Sequence, residues 1–304
     1  MTWQQRVGSQ RNWLWRGWKV RYTFIRTQAT TTAHDTPIIF LHGFGASIGH
    51  WRDNLSVLSQ HHTVYALDLL GFGASEKAAT SYNAEFWAEL VYAFWRTFIG
   101  HPVILVGNSI GSLISLVAAA EYPEMAQGLI MISLPDPALQ TESLPNWTVP
   151  LVEALQGAIL SPLLLRPLFY WVRQPNILKG WAKIAYLNPV MVTDEVGEIL
   201  AGPTGDRGAA RAFCSLFRMM GSPRLGPGVK TLLPGLQIPI LLIWGKQDRL
   251  IPLKLAKPEK YLQYNQNLTL IQLDQAGHCP HDECPEQVNQ LILEWLANPQ
   301  RLEA

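Results

Sequence analysis

Gly107-Asn108-Ser109-Ile110-Gly111 is a G-x-S-x-G pentapeptide set between an apolar run, residues 103–106, and a stretch of small residues with helical character. A strained strand-to-helix turn of this kind lifts a serine hydroxyl clear of a sheet. Gly107 and Gly111 leave the turn room, because a Cβ at either position would meet neighbouring backbone. A serine hydroxyl is a poor nucleophile at neutral pH and requires a base, itself oriented by an acid. Downstream, Asp248 follows the apolar run 239–244 and His278 follows the run 268–273. His281 is the alternative base, and Asp136, after the run 128–132, is the alternative acid.

Attack on a carbonyl creates an oxyanion, which preorganised N–H groups must hold. The candidates are the backbone amides of Ile110, directly after the serine, and of Phe44 in His42-Gly43-Phe44-Gly45. Residues 68–75, from Asp68 through Gly71 and Gly73 to Ser75, are also glycine-rich. They contain no G-x-x-x-x-G-K and open no helix, so they read as a structural turn shaping the pocket wall rather than a phosphate loop. No cofactor and no metal is expected. The three cysteines, Cys214, Cys279 and Cys284, lack a metal-ligand spacing, and their odd number fits a reducing compartment without a disulfide framework.

These residues converge only if regular elements carry them to one place. The runs 37–41, 63–67, 103–106, 128–132, 239–244 and 268–273 are nearly continuous in apolar residues, as strands covered on both faces must be. Residues 84–98, 112–120 and 286–296 have helical spacing, the last with Pro285 suited to a first turn. Alternating strands and helices predict an α/β protein with a doubly wound, mostly parallel sheet. The alternation breaks over residues 136–236, where helical stretches at 149–160, 177–187 and 209–220 replace strands. The expected organisation is a core formed by residues 1–135 and 237–304, with a helical cap, 136–236, inserted after the sixth strand.

The chain has 304 residues, 48% apolar and 15% charged, too apolar for disorder; a net charge of +1 gives no reason to expect nucleic-acid binding. That near-neutrality is a cancellation. Residues 1–34 hold Arg6, Arg11, Arg16, Lys19, Arg21 and Arg26 and no acid, which leaves 18 basic and 23 acidic side chains elsewhere. The same segment carries four of the twelve Trp residues. Trp18, Val20, Tyr22 and Phe24 alternate with Lys19, Arg21, Thr23 and Ile25, the period of a half-buried hairpin strand. A basic, Trp-rich edge also suits peripheral contact with an anionic membrane. The start lacks the apolar segment of a secretory signal. The longest apolar stretch, 158–172, is broken by Pro162, Arg166 and Pro167 and is too short to span a bilayer.

With His42-Gly43, residues 68–75, the serine pentapeptide, Asp248 and His278 in this order, the chain resembles the α/β-hydrolase superfamily over residues 13–296. Serine at position 109 separates it from the haloalkane dehalogenases and epoxide hydrolases of that superfamily, which use aspartate there. Within the superfamily, Trp15-Arg-Gly-Trp-Lys-Val-Arg-Tyr22, His42-Gly-Phe-Gly-Ala-Ser47, Leu70-Gly-Phe-Gly-Ala-Ser-Glu-Lys77 and Gly107-Asn-Ser-Ile-Gly111 look like the pheophytinase and chlorophyll dephytylase branch. One departure is Ser112, where that branch commonly has another glycine. The resemblance implies an α/β-hydrolase fold and a serine hydrolase that cleaves a carboxylic ester with a large hydrophobic group, such as the phytyl ester of chlorophyll-type pigments, through an acyl-enzyme. Its partner would be a hydrophobic small-molecule ester, and its location the cytoplasm with peripheral attachment to a thylakoid-type internal membrane. Residues 151–172, with Leu160, Leu163, Leu164, Leu165, Leu168, Phe169, Tyr170 and Trp171, supply apolar surface for such a substrate, at about 0.8 kcal/mol per buried CH₂. The same triad would also serve a thioesterase, a lactonase, a carbon–carbon bond hydrolase or a slow-turnover ligand receptor of this fold.

Overall fold

The computed structural model describes residues 1–27, 36–139, 160–220, 222 and 225–299. Eight strands, β1 (Ser9–Trp15), β2 (Trp18–Ile25), β3 (Ile38–Leu41), β4 (Val64–Leu67), β5 (Val103–Asn108), β6 (Ala126–Ile132), β7 (Ile240–Gly245) and β8 (Leu268–Leu273), form one sheet in the order β1-β2-β4-β3-β5-β6-β7-β8. The β1–β2 and β2–β4 pairings are antiparallel and the other five are parallel. The parallel strands are apolar throughout because both faces are covered. In β3, Ile39 and Leu41 enter one core while Ile38 and Phe40 enter the other, on the two-residue period of a strand.

Helices α1 (Trp3–Arg6), α2 (Arg52–Leu58), α3 (Ala84–Phe98) and α4 (Ile110–Glu121) precede the insert. Helices α5 (Pro162–Val172), α6 (Pro175–Ala185), α7 (Asp194–Ala201) and α8 (Ala209–Met220) lie between β6 and β7, and α9 (Pro280–Glu283) and α10 (Pro285–Ala297) close the chain. Trp87, Leu90, Val91 and Phe94 of α3 cover one face of the sheet with α4, while Leu55 and Leu58 of α2 and Val288, Ile292 and Trp295 of α10 cover the other. Asn83 starts α3 by accepting the Phe86 amide at 2.8 Å, and Pro285 opens α10.

The helical insert follows β6 as the pattern predicts, although the stretch 149–159 of one expected helix lies outside the described residues. α2 has no counterpart in the sequence reading, since Arg52-Asp-Asn-Leu-Ser-Val-Leu58 is largely polar; burial of Leu55 and Leu58 decides its conformation. The hairpin packs its aromatics on α3: Trp13 meets Phe94 and Phe98 edge-on, and Trp15 meets Phe86. Three basic residues of the N-terminal segment are engaged within the molecule. Arg6 pairs with Asp53 and Glu195, Arg16 with Glu89, and the Arg11 guanidinium lies 4.8 Å from the Phe24 ring centroid. No described helix is long and apolar enough to cross a membrane.

Candidate active site

β5 ends in a turn too tight for a side chain at Gly107 or Gly111. Ser109 has φ 53° and ψ −122°, a region that costs an L-residue about 1–3 kcal/mol and is held by its surroundings. A Cβ on Gly107 would sit 2.2 Å from the Gly111 carbonyl oxygen, and one on Gly111 would sit 2.1 Å from that of Leu41. The elbow is therefore wedged between α4 and the end of β3. Ser112 occupies that crowded turn usefully: its hydroxyl donates to the Gly107 carbonyl at 2.7 Å and accepts the Ile132 amide at 2.9 Å, stitching β5 to β6.

Asp248 and His278 stand past the ends of β7 and β8 and meet through a 2.8 Å bond between His278 Nδ1 and Asp248 Oδ2. The other carboxylate oxygen, Oδ1, accepts the amides of Leu250 and Ile251, both at 2.8 Å, which fixes its direction. Asn108, beside the serine, donates from Nδ2 to the His278 carbonyl at 3.2 Å, so the elbow and the imidazole loop are joined directly. Glu283 accepts the amides of Gly277, Cys279 and Leu187 and holds that loop from below. Burial pushes its carboxyl up from the usual range.

Of the alternatives, Asp136 uses its carboxylate on the amides of Ala138 and Val229 at 3.0 and 3.1 Å. His281 is fully buried, its ring 4.2 Å from that of Trp51 and its Nε2 3.3 Å from His50 Nδ1. Neither is bonded to His278 or Asp248, and neither lines the cavity that Ser109 and His278 share.

The oxyanion candidates also have a physical basis. The amides of Phe44 and Ile110 have no acceptor among the described residues. The Gly43 carbonyl receives the His42 Nδ1–H at 2.8 Å and the Ala46 amide at 3.2 Å. In a trans peptide this clamps the Phe44 N–H in the opposite direction. His42 Nε2 accepts the Leu69 amide at 3.0 Å, and burial lowers the imidazole's proton affinity, consistent with the neutral Nδ1–H form. Gly43 lets the loop pack closely on the elbow, since a Cβ there would lie 2.8 Å from Asn108 Oδ1 and displace that side chain.

Residues 68–75 brace this loop rather than form the cavity wall. Asp68 accepts the amides of Ile48 and Ala74, both at 2.7 Å, and its carboxyl fills the space where a Cβ on Gly73 would be.

The cavity of about 530 Å³ is bounded by Phe44, Ser109 and His278 at the end next to the sheet and by Phe169, Val172, Leu178, Trp181, Phe213 and Phe217 from the insert. The apolar stretch of α5 is thus split. Phe169 and Val172 face the cavity, whereas Leu163, Leu164, Tyr170 and Trp171 point outward; the part of the stretch at 151–159 lies outside the described residues. Among the described residues no group of three His, Cys, Asp or Glu side chains is arranged to hold a metal ion.

Next to the Ser109 end of the cavity, which His50 and Tyr186 also line, runs a polar seam that spacing could not reveal. His281 Nε2–H is directed at His50 Nδ1, His50 Nε2–H donates to the Tyr186 hydroxyl at 2.8 Å, and that hydroxyl donates to Asp282. Arg52 completes the seam, 2.6 Å from Asp282 Oδ1 and 3.0 Å from Glu195 of α7. Burial lowers His50 to about 4, outweighing the attraction of Asp282, and the neutral form keeps this chain of donors consistent.

A family model described as alpha/beta hydrolase fold matches residues 36–285. A chloroplastic pheophytinase of Arabidopsis thaliana is 24% identical over 319 residues, covering 92% of this chain and 65% of that longer protein. Among solved structures, a membrane phospholipase A described as a bacterial virulence factor superposes with a TM-score of 0.75 at 22% identity, over 99% of this chain and 89% of that one. An esterase from Thermogutta terrifontis superposes at 0.71 with 20% identity, over 96% and 99%. At these identities the structures speak for the fold alone, and with the motif match over residues 36–285 they lead to one conclusion: the chain belongs to the α/β-hydrolase fold family.

Proposed function

We propose that the protein is a serine hydrolase of carboxylic esters carrying a large hydrophobic group, with Ser109 as nucleophile, His278 as base and Asp248 as its orienting acid. The observation that carries this reading is the Asp248–His278 bond behind a cavity that contains Ser109 at a strained turn and is walled on the side of the insert mainly by apolar side chains, Phe169, Val172, Leu178, Trp181, Phe213 and Phe217 among them. Ser109 Oγ attacks the ester carbonyl as His278 Nε2 takes its proton, and Asp248 stabilises the imidazolium through Nδ1–H. The amides of Phe44 and Ile110 hold the oxyanion. The tetrahedral intermediate collapses, the alcohol leaves with the proton from His278, and a water deprotonated by the same imidazole releases the acid.

The cavity lies within the range of about 300–1,000 Å³ that encloses one drug-sized molecule, which suits the ester carbonyl and one apolar arm rather than a whole pigment. A phytyl ester of a chlorophyll-type pigment, with the macrocycle left outside, fits this description. Such a substrate resides in a membrane, so the reading includes work at an internal membrane surface. The N-terminal basic segment supports that attachment only weakly, because Arg6, Arg11 and Arg16 are engaged internally.

Ser109→Ala is expected to lower turnover at least about 10³-fold with an unchanged melting temperature. A fluorophosphonate probe should label Ser109 and fail on His278→Ala. The panel should contain chlorophyll, pheophytin, short esters, lactones and acyl thioesters. Substantial turnover by pure Ser109→Ala protein would falsify the assignment, and thioester cleavage without ester cleavage would replace the substrate class.

A further inference from the structure

Helix α5 is apolar on two opposite faces. Leu165, Phe169 and Val172 are buried, while Leu163, Leu164, Tyr170 and Trp171 are exposed, Leu163 by 85%. At 100° per residue the exposed set spans an arc of about 120° centred on Pro167, opposite the buried one. Helix α6 continues the surface: none of its residues is buried, and Trp181 and Ile184 are 45% and 48% exposed. An uncovered apolar surface of this extent marks an interaction site rather than ordinary scatter.

Its charge identifies the occupant. Residues 160–193 contain Arg166, Arg173, Lys179 and Lys183 and no acidic residue. Lys179 is paired with Asp194 at the start of α7, and Arg173 lies 4.9 Å from the Tyr170 ring centroid, leaving Arg166 and Lys183 exposed on the flanks of the apolar surface. Cations flanking exposed Leu, Ile, Trp and Tyr on short helices are the composition of a segment lying in a membrane interface, with aromatics at the headgroup level. The surface is also continuous with the cavity, since Trp181 and Arg173 line the cavity and are themselves exposed.

We infer that the outer faces of α5 and α6 seat the protein on an anionic lipid bilayer with the cavity mouth at the membrane, so that an apolar substrate arm passes from lipid to Ser109 without crossing water. Seating does not depend on the chemistry at Ser109 and is measured separately from it. The full chain and its Ser109→Ala variant are sedimented with vesicles of phosphatidylcholine alone or with added phosphatidylglycerol, at low and high salt.

Both proteins should bind the anionic vesicles at least tenfold more than the neutral ones, with the preference shrinking in salt. Leu163→Asp with Trp171→Asp, outside the cavity, should remove binding while hydrolysis of a soluble short-chain ester and the melting temperature stay unchanged. Arg166→Gln with Lys183→Gln should reduce only the anionic preference. Absence of vesicle binding, or binding that survives Leu163→Asp with Trp171→Asp, would overturn the inference. So would a concentration-dependent dimer that this variant abolishes, since a second copy would then cover the face.

Discussion

Ten of the twelve residues of α4 are buried, and none of the eleven in α6 is. Ser109, which caps α4, and Leu178, Trp181, Ala182 and Ala185 of α6 line the same cavity, yet the two helices are built for opposite purposes. Around α4 the backbone is held by contacts so close that a single methyl has no room, and Ser109 is kept in a conformation it would not choose alone. Around α5 and α6 the apolar side chains exceed what the interior needs. Ser109 is held by the core, and the opposite wall of the cavity keeps an apolar excess on its outer side; the polar seam from His50 through Tyr186 to Asp282 fastens the two halves together with the pairing of Arg6 and Arg52 to Glu195.

The sharpest way to break this contrast is Gly111→Ala, whose Cβ would lie 2.1 Å from the Leu41 carbonyl oxygen, a backbone atom. A cost above about 4 kcal/mol is expected, read as loss of soluble protein or a collapsed melting temperature. Acid should act next. His42, His50 and His281 are buried with depressed proton affinity, so below pH 6.5 the unfolded chain takes up protons that the folded one refuses. Stability should be level above pH 7 and decline toward pH 4, where His50 alone accounts for about 3 kcal/mol, measured as urea midpoints across that range. Asp68 and Glu283, whose carboxyls are raised by burial, protonate more readily in the fold and offset part of the loss at the acid end.

A smaller effect is expected from Tyr186→Phe, which leaves Asp282 Oδ2 and His50 Nε2 without the hydroxyl between them, at a cost of about 1–3 kcal/mol. Hydrogen exchange should quicken in α5–α7 while β5 and α4 keep their protection. Equal quickening in both halves would show that the seam does not separate them.

The sheet was readable because buried parallel strands must be continuously apolar, and the order Ser109, Asp248, His278 was readable because each residue follows such a run. The partners of the seam were not. Tyr186 and Asp282 are 96 residues apart and His50 and Tyr186 are 136 apart, with no local pattern linking them. The outward face of α5 was misjudged for another reason: an apolar stretch with two apolar sides does not disclose which one faces inward. Arg6 illustrates the same limit in charge, since composition counted it toward a basic surface whereas folding paired it with Asp53 and Glu195.

Among the described residues β1 has a neighbour on one side only. A terminal strand offers a free row of amide and carbonyl groups on which another chain can pair and from which aggregates grow. Arg11 is exposed on that strand, and Arg16 and Lys19 are exposed where it turns into β2. Two molecules meeting edge to edge with Arg11 opposite its counterpart would set like charges across the new strand pair, which opposes its formation. Arg11 thus stands as a charged sentry on the open border of the sheet, the one ionic side chain of β1.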